Sequence, residues 1–222
     1  MLFRSNKNQK SRQVIGLVGL IGSGKDTAAD YLSKKWNFQK ASFAGTLKDS
    51  LGMIFSWPRH MLEGTTTEAR EWREKPDPWW SKRLGINNFT PRFALQYIGT
   101  DILRKKFHDD IWLASLEYKI LNSENSHVIS DCRFPNEIAM IHSIGGTILR
   151  IKRGNEPEWY STALRQNCNE IKKPAEMMEA KYPHVHSSEY QWIGSPVDFV
   201  LENNGTIADM YEKIDMLVKD IN

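Results

Sequence analysis

Short apolar runs alternate along this chain with longer stretches in which apolar residues return every three or four positions. Val14-Ile15-Gly16-Leu17-Val18 is apolar throughout, as a strand covered on both faces of a parallel sheet must be. Beyond it, Ala28, Tyr31, Leu32 and Trp36 fall on one side of a helix expected over 26–36. Residues 40–43 read as a short second strand. Phe43, Ala44, Leu47, Leu51, Ile54 and Phe55 then predict an amphipathic helix over about 45–55. From Trp57 to Thr90 the pattern breaks. This stretch holds Pro58, Pro76 and Pro78, the tryptophans Trp57, Trp72, Trp79 and Trp80, and many charges. It reads as an inserted excursion rather than a regular strand–helix unit.

A helix resumes at Pro91, where proline suits a first turn, and its apolar stripe runs through Phe93, Leu95, Ile98, Ile102 and Leu103. Another is expected over 111–121, with Trp112, Leu116 and Ile120 in register. A strand at 127–130, a helix at 136–144 stopped by Gly145-Gly146 and a strand at 147–151 follow. Residues 152–191 are polar, with Pro157, Pro174 and Pro183, and form the second irregular region. A last strand at 197–201 turns through Asn203-Asn204-Gly205 into a helix with Ile207, Met210, Ile214, Leu217, Val218 and Ile221 on one face. This alternation predicts an α/β fold, a parallel sheet flanked by helices with right-handed crossovers. The two irregular regions would rise over its carboxyl edge, where open sheets bind ligands. The expected organisation is a polar tail over 1–13 and one domain over 14–222, with an insertion at about 57–90 and a mobile lid at about 154–191.

Composition narrows the function classes. The 222 residues are 40% hydrophobic and 26% charged, with a net charge of +3, which is ordinary for a globular chain. That mild excess does not argue for nucleic-acid binding and suits a small anionic ligand equally well. Cys132 and Cys168 are too few for a disulfide framework and read as reduced thiols. No apolar stretch is long enough to span a bilayer and no signal-peptide pattern opens the chain. A cytoplasmic protein without membrane or nucleic-acid partners is expected.

The chemistry concentrates at Gly19-Leu20-Ile21-Gly22-Ser23-Gly24-Lys25-Asp26-Thr27. A strand, a glycine loop and a helix in this order make a phosphate cradle. Backbone N–H groups turn inward, the helix start adds its dipole, and Lys25 adds a charge for the β and γ phosphates. Gly22, Ser23, Gly24, Lys25, Asp26 and Thr27 are the candidate nucleotide-binding residues. Asp26 stands where Ser or Thr is usual, and the hydroxyl comes one place later at Thr27. A carboxylate there suits a metal, directly or through water, or a helix start. Asp131, at the carboxyl end of an apolar strand, is a candidate metal or water partner, and Arg133 a candidate phosphate clamp. Arg92, Arg104, Arg150, Arg153 and Arg165 are further cations for a moving phosphoryl group, Arg153 being placed just beyond a strand end. Gly99-Thr100-Asp101 interrupts a helical pattern. His184, His186 and Glu189 cluster in one loop but lack the paired spacing of a zinc site, and no nucleophile elbow supports a hydrolase.

Several blocks together resemble the phage deoxynucleoside monophosphate kinases. They are Gly22-Ser23-Gly24-Lys25-Asp26-Thr27, Ala44-Gly45-Thr46-Leu47-Lys48-Asp49, and Leu95-Gln96-Tyr97-Ile98-Gly99-Thr100-Asp101 with Trp112 after it. Ser130-Asp131-Cys132-Arg133-Phe134-Pro135-Asn136-Glu137, His186-Ser187-Ser188-Glu189 and Asn203-Asn204-Gly205-Thr206 complete the series in the family's order. In that family Asp after the lysine is usual. The resemblance implies a P-loop, nucleoside-monophosphate-kinase-like fold and the reaction of ATP with a dNMP to give ADP and a dNDP, with Mg²⁺. It makes Lys25, Asp131 and Arg133 the candidate catalytic residues. Asp26, Thr27 and Asp131 would lie near the metal, and Arg153 would join the ATP site. Lys48, Arg92, Gln96, Asp101 and Arg104 are candidates for the dNMP. The expected partners are ATP and dNMP, with a homodimer allowed, in the cytoplasm of a host cell if the chain is viral. Residues 57–90 match the family poorly. Two rivals use the same loop: a P-loop kinase with another small acceptor, such as dephospho-coenzyme A, and a nucleotide-binding regulatory switch.

Overall fold

The computed structural model describes residues 12–221. In chain order the elements are β1 (Val14–Val18), α1 (Lys25–Trp36), β2 (Gln39–Ala41), α2 (Gly45–Phe55), α3 (Arg59–Glu63), α4 (Thr67–Glu74), α5 (Pro78–Leu84) and α6 (Pro91–Gln96). A π-helix, Tyr97–Phe107, leads on to α7 (Ile111–Leu121), β3 (His127–Ile129), α8 (Pro135–Ser143) and β4 (Thr147–Lys152). Then come α9 (Tyr160–Asn167), α10 (Met178–Lys181), α11 (Ser187–Tyr190), β5 (Phe199–Glu202) and α12 (Ile207–Asp220).

Two compact units result. The first joins the residues up to Ala41 with those from Ile120 onward, and the second is Ser42–Lys119. The first holds a five-stranded sheet in the order β2-β3-β1-β4-β5, parallel at every pairing. β1 is central and buried at all five positions, which its unbroken apolar run requires. Ile15, Leu17, Val128, Leu149 and Ile151 pack with Ala28, Leu32, Met210 and Ile214 into one core. Burying such side chains stabilises by roughly 1.5–3 kcal/mol each. Cys132 lies in this unit, 2% exposed, with its sulfur 3.2 Å from where a Cβ on Gly16 would stand. Burial pushes its thiol pKa well up, helped by the carboxylates of Asp131 and Glu137. Cys168 is exposed.

The second unit is helical and built on aromatic rings. Phe55 stacks on Trp57 at 4.5 Å, and Trp72, Trp80 and Phe89 close around them. The Trp57 and Trp80 indole N–H groups find Asp77 Oδ2 at 2.9 Å and the Phe55 carbonyl at 3.1 Å, as buried indoles require. Trp57, Trp72 and Trp80 thus serve a local core beside three short helices, while Trp79 is exposed.

Several boundaries move from expectation. The second strand is Gln39–Ala41, not 40–43. The helix from Pro91 is α-helical only to Gln96 and continues as a π-helix to Phe107. Gly99 permits the change: a Cβ there would collide with Leu47, and its carbonyl accepts the buried Trp112 indole N–H at 3.0 Å. The polar stretch 152–191 contains the helix α9. The tail expected over 1–13 lies outside the described residues as far as residue 11. Arg12 donates to the carbonyls of Ile120 and Ser123, at 2.8 and 3.0 Å, and the Gln13 carbonyl accepts from His127 N–H.

Candidate active site

The site begins where β1 ends. Gly19 and Gly24 have φ of 147° and 105°, a region that favours glycine. A Cβ at Gly19 would strike the Ile151 carbonyl, and one at Gly24 would meet Asn203 Nδ2 at 2.7 Å. Asn203, just past β5, donates to the Ser23 carbonyl at 2.8 Å and braces the loop. α1 starts at Lys25 with no side-chain cap, so its first N–H groups remain available to an anion.

Lys25 Nζ donates to the Gly19 and Leu20 carbonyls at 2.7 and 2.9 Å. Burial pushes its pKa down, against the opposing pull of Asp26 and Glu189, while Arg133 adds to the depression. Asp26, in the first turn of α1, accepts from Ser130 Oγ at 3.1 Å. That bond ties the start of α1 to the residue that follows β3. Thr27 follows Asp26 and is half-buried. The turn after β3 is fixed by Glu137, whose carboxylate accepts from the N–H groups of Arg133 and Phe134 at 2.7 and 3.1 Å. Arg133 then reaches Ser188 Oγ at 3.3 Å and the Glu189 carboxylate at 3.8 Å. His186 Nδ1 holds the same Ser188 hydroxyl at 2.8 Å.

A cavity of about 390 Å³ lies beside the loop. Residues 20–23 form one wall, and Arg150, Arg153, Glu156 and Glu189 stand around it. Arg153 is therefore beside the loop, whereas Arg165 is exposed on α9, 3.9 Å from Glu170. The remaining candidates belong to the second unit. Lys48 pairs with Glu63 at 2.5 Å. Arg92 and Gln96 sit four residues apart on α6, hence on one face. On the π-helix Asp101 pairs with Lys105 at 2.7 Å, and Arg104 donates to the Asp109 carbonyl at 3.3 Å. Among the described residues no group of three or more His, Cys, Asp or Glu is arranged to hold a metal.

Sequence reasoning missed Ser130, Asn203 and the grip on Arg150. Ser130 and Asn203 act through tertiary bonds that no local pattern announces. Arg150 carried a signal: it is a charged residue inside an otherwise apolar strand.

A protein of Acanthamoeba polyphaga mimivirus, provisionally named a deoxynucleotide monophosphate kinase, is 34% identical over 213 residues, covering 90% of this chain and 93% of its own. This chain belongs to the deoxynucleotide monophosphate kinase family. The deoxynucleoside-5′-monophosphate kinase of Escherichia phage T5 is 45% identical over 175 residues, 56% of this chain and 69% of its own. No family model matches. Among solved structures, dephospho-CoA kinase from Campylobacter jejuni aligns over 96% of this chain and 98% of its own, at a TM-score of 0.41 and 14% identity. As a deoxynucleotide monophosphate kinase family member the chain is a P-loop phosphotransferase. Among its described residues no helix is long and apolar enough to cross a membrane.

Proposed function

We propose that the chain transfers the γ-phosphoryl group of ATP to a deoxynucleoside 5′-monophosphate, releasing ADP and the deoxynucleoside diphosphate. The observation that carries the acceptor is the likeness to the mimivirus protein over 90% of this chain, and phosphate binding is supported by Lys25 resting on two carbonyls of its own glycine loop, at the uncapped start of α1. In this reading the N–H groups from Gly22 to Thr27 take the ATP phosphates, and Lys25 leaves the Gly19 and Leu20 carbonyls for the β and γ oxygens. Arg133, with one or more of Arg92, Arg104, Arg153 and Arg165, clamps the acceptor phosphate or the moving group. Lys48, Gln96 and Asp101 contact the acceptor nucleotide. In-line transfer needs positioning and charge stabilisation, with no covalent enzyme intermediate.

A carboxylate in the first turn of the helix that Lys25 opens is chemistry suited to Mg²⁺. Asp26 lies in the first turn of α1 beside Lys25 and accepts from Ser130 Oγ, and magnesium takes one or two carboxylates plus substrate phosphates while keeping most of its waters. Asp26, Thr27 and Asp131 would hold the ion, which supplies charge neutralisation on the phosphates. Closure of 154–191 as a lid excludes the water that competes as acceptor. The reaction runs in the cytoplasm, the host's if the chain is viral, and the mass of the chain in solution tests a homodimer.

The deciding experiment is coupled ADP release with ATP and Mg²⁺ across all deoxy- and ribonucleoside monophosphates. Fast turnover with one or several dNMPs, and little without acceptor, is expected. ATP binding with no phosphorylated nucleotide would overturn the acceptor assignment.

A further inference from the structure

The arginine inside β4 is unused in the mechanism above. Arg150 stands opposite Val18 in the β1–β4 register, directly beside the start of the phosphate loop, and its side chain is only 15% exposed. Its guanidinium lies over two aromatic rings, with Cζ 5.1 Å from the centre of Tyr160 and 5.2 Å from that of Trp192. Trp192 is itself anchored, 3% exposed and donating its indole N–H to the Glu189 carbonyl at 2.9 Å. Arg150 Nη2 pairs with the Glu156 carboxylate, and Nε, buried, has no hydrogen-bond partner among the described residues. Arg150, Glu156 and residues 20–23 of the loop line the same cavity.

A structural ion pair would not need this arrangement. An arginine stacked on rings keeps its in-plane N–H fork for a bidentate oxyanion, and its rotamer freedom is already lost before a ligand arrives. The Glu156 carboxylate occupies part of that fork, as a phosphate would. The alternative assignment within this cavity, Arg153, has no comparable hold: no hydrogen bond, ion pair or ring contact fixes it among the described residues.

We infer that Arg150 is a phosphate-contacting residue for the nucleotide on the 19–25 loop, that it takes the terminal phosphate in exchange for Glu156, and that Tyr160 and Trp192 are positioning residues for it. The inference rests on ATP binding at that loop, which is part of the reading above, but not on the identity of the acceptor.

The test uses the full chain and measures Mg²⁺-ATP and Mg²⁺-ADP binding by calorimetry, beside turnover. Arg150→Lys should cut the preference for ATP over ADP by about 10-fold, the worth of one charged hydrogen bond, leave ADP binding near wild type, and lower kcat. Tyr160→Leu should move both quantities the same way, and Tyr160→Phe, which keeps the ring but gives up the hydroxyl's contact with Arg150, should restore most of the loss. An unchanged ATP preference in Arg150→Lys, equal weakening of ATP and ADP, or identical behaviour of Tyr160→Leu and Tyr160→Phe would each overturn it. If Arg150→Lys fails to fold, the Tyr160 pair decides alone. If the wild type phosphorylates no dNMP, the acceptor assignment falls, and the ATP-over-ADP comparison still decides Arg150.

Discussion

The two units hold their charged groups in different ways. Around the phosphate loop, several polar side chains are bonded to backbone. Lys25 rests on two carbonyls, Glu137 takes two N–H groups, and Asn203 braces the Ser23 carbonyl. In Ser42–Lys119 they are bonded largely to one another. Lys48 and Arg59 share Glu63, Arg59 and Lys119 share Asp49, and Asp101 holds Lys105. Bonds to backbone fix where a side chain rests before a ligand arrives, whereas ion pairs between partly exposed side chains exchange partners at little free-energy cost. The first unit therefore offers a fixed cradle, suited to a phosphate chain of constant shape. The second holds its cations in pairs with carboxylates, which the proposed acceptor phosphate would replace.

That contrast can be broken at graded points. Lys25→Ala should have the largest effect, lowering kcat about 1,000-fold or more while the circular dichroism melt stays near wild type. A melt that collapses instead would make Lys25 a structural residue. Trp57→Ala should destabilise by about 3 kcal/mol, because Trp57 is 6% exposed and packs against Phe55, Trp72 and Phe89. Hydrogen exchange should then rise in 42–119 while β1 stays protected; equal loss in both would show that the units melt as one.

Asp215→Asn should cost about 1 kcal/mol, since Asp215 accepts from Lys35, Tyr31 and Trp36 at 2.7, 2.9 and 2.8 Å. Burial raises its pKa, but the Lys35, Trp36 and Tyr31 donors outweigh that and hold it below 3.8. A carboxylate lowered in the folded state stabilises fully above its unfolded pKa, and that contribution is lost as pH falls through the lower folded value. Urea melts below pH 4 should thus lose stability in the wild type more steeply than in Asp215→Asn; parallel profiles would remove Asp215 from the acid response. Glu63→Gln should do least, shifting stability by under about 1 kcal/mol. It frees Lys48, so KM for the dNMP should move more than kcat; an unchanged KM would take Lys48 out of the acceptor site.

Legibility depended on element length and local pattern rather than on the unit. β1, the glycine loop and α1 were readable because a buried central strand is apolar at every position and the loop needs glycine at fixed places. The helices Gly45–Phe55 and Ile111–Leu121 stood at their expected bounds, since each repeats its apolar face over three turns. The helices α3 to α5 were hidden, being five to eight residues long, too short for a period to show, and ordered by rings that meet only in three dimensions. A few residues of apolar spacing do not separate a π-helix from an α-helix, so the pattern over 97–107 predicts the commoner form. Within the candidate site, Lys25, Asp26 and Asp131 carry a motif. Ser130 and Asn203 stand in family blocks, but their roles, like those of the rings around Arg150, arise from distant segments brought into contact.

Cys132 has a consequence of another kind. Its thiol is protonated and covered beneath β1, while Cys168 faces solvent. An alkylating reagent should therefore modify the chain in two phases, one immediate and one as slow as the opening of the strands beneath the phosphate loop. The slow phase is a clock built into the native sequence. Its retardation by saturating nucleotide, which can only slow the opening if it binds the closed form more tightly, would report in minutes how far occupancy of the cradle stiffens the sheet, without label, mutation or knowledge of the acceptor.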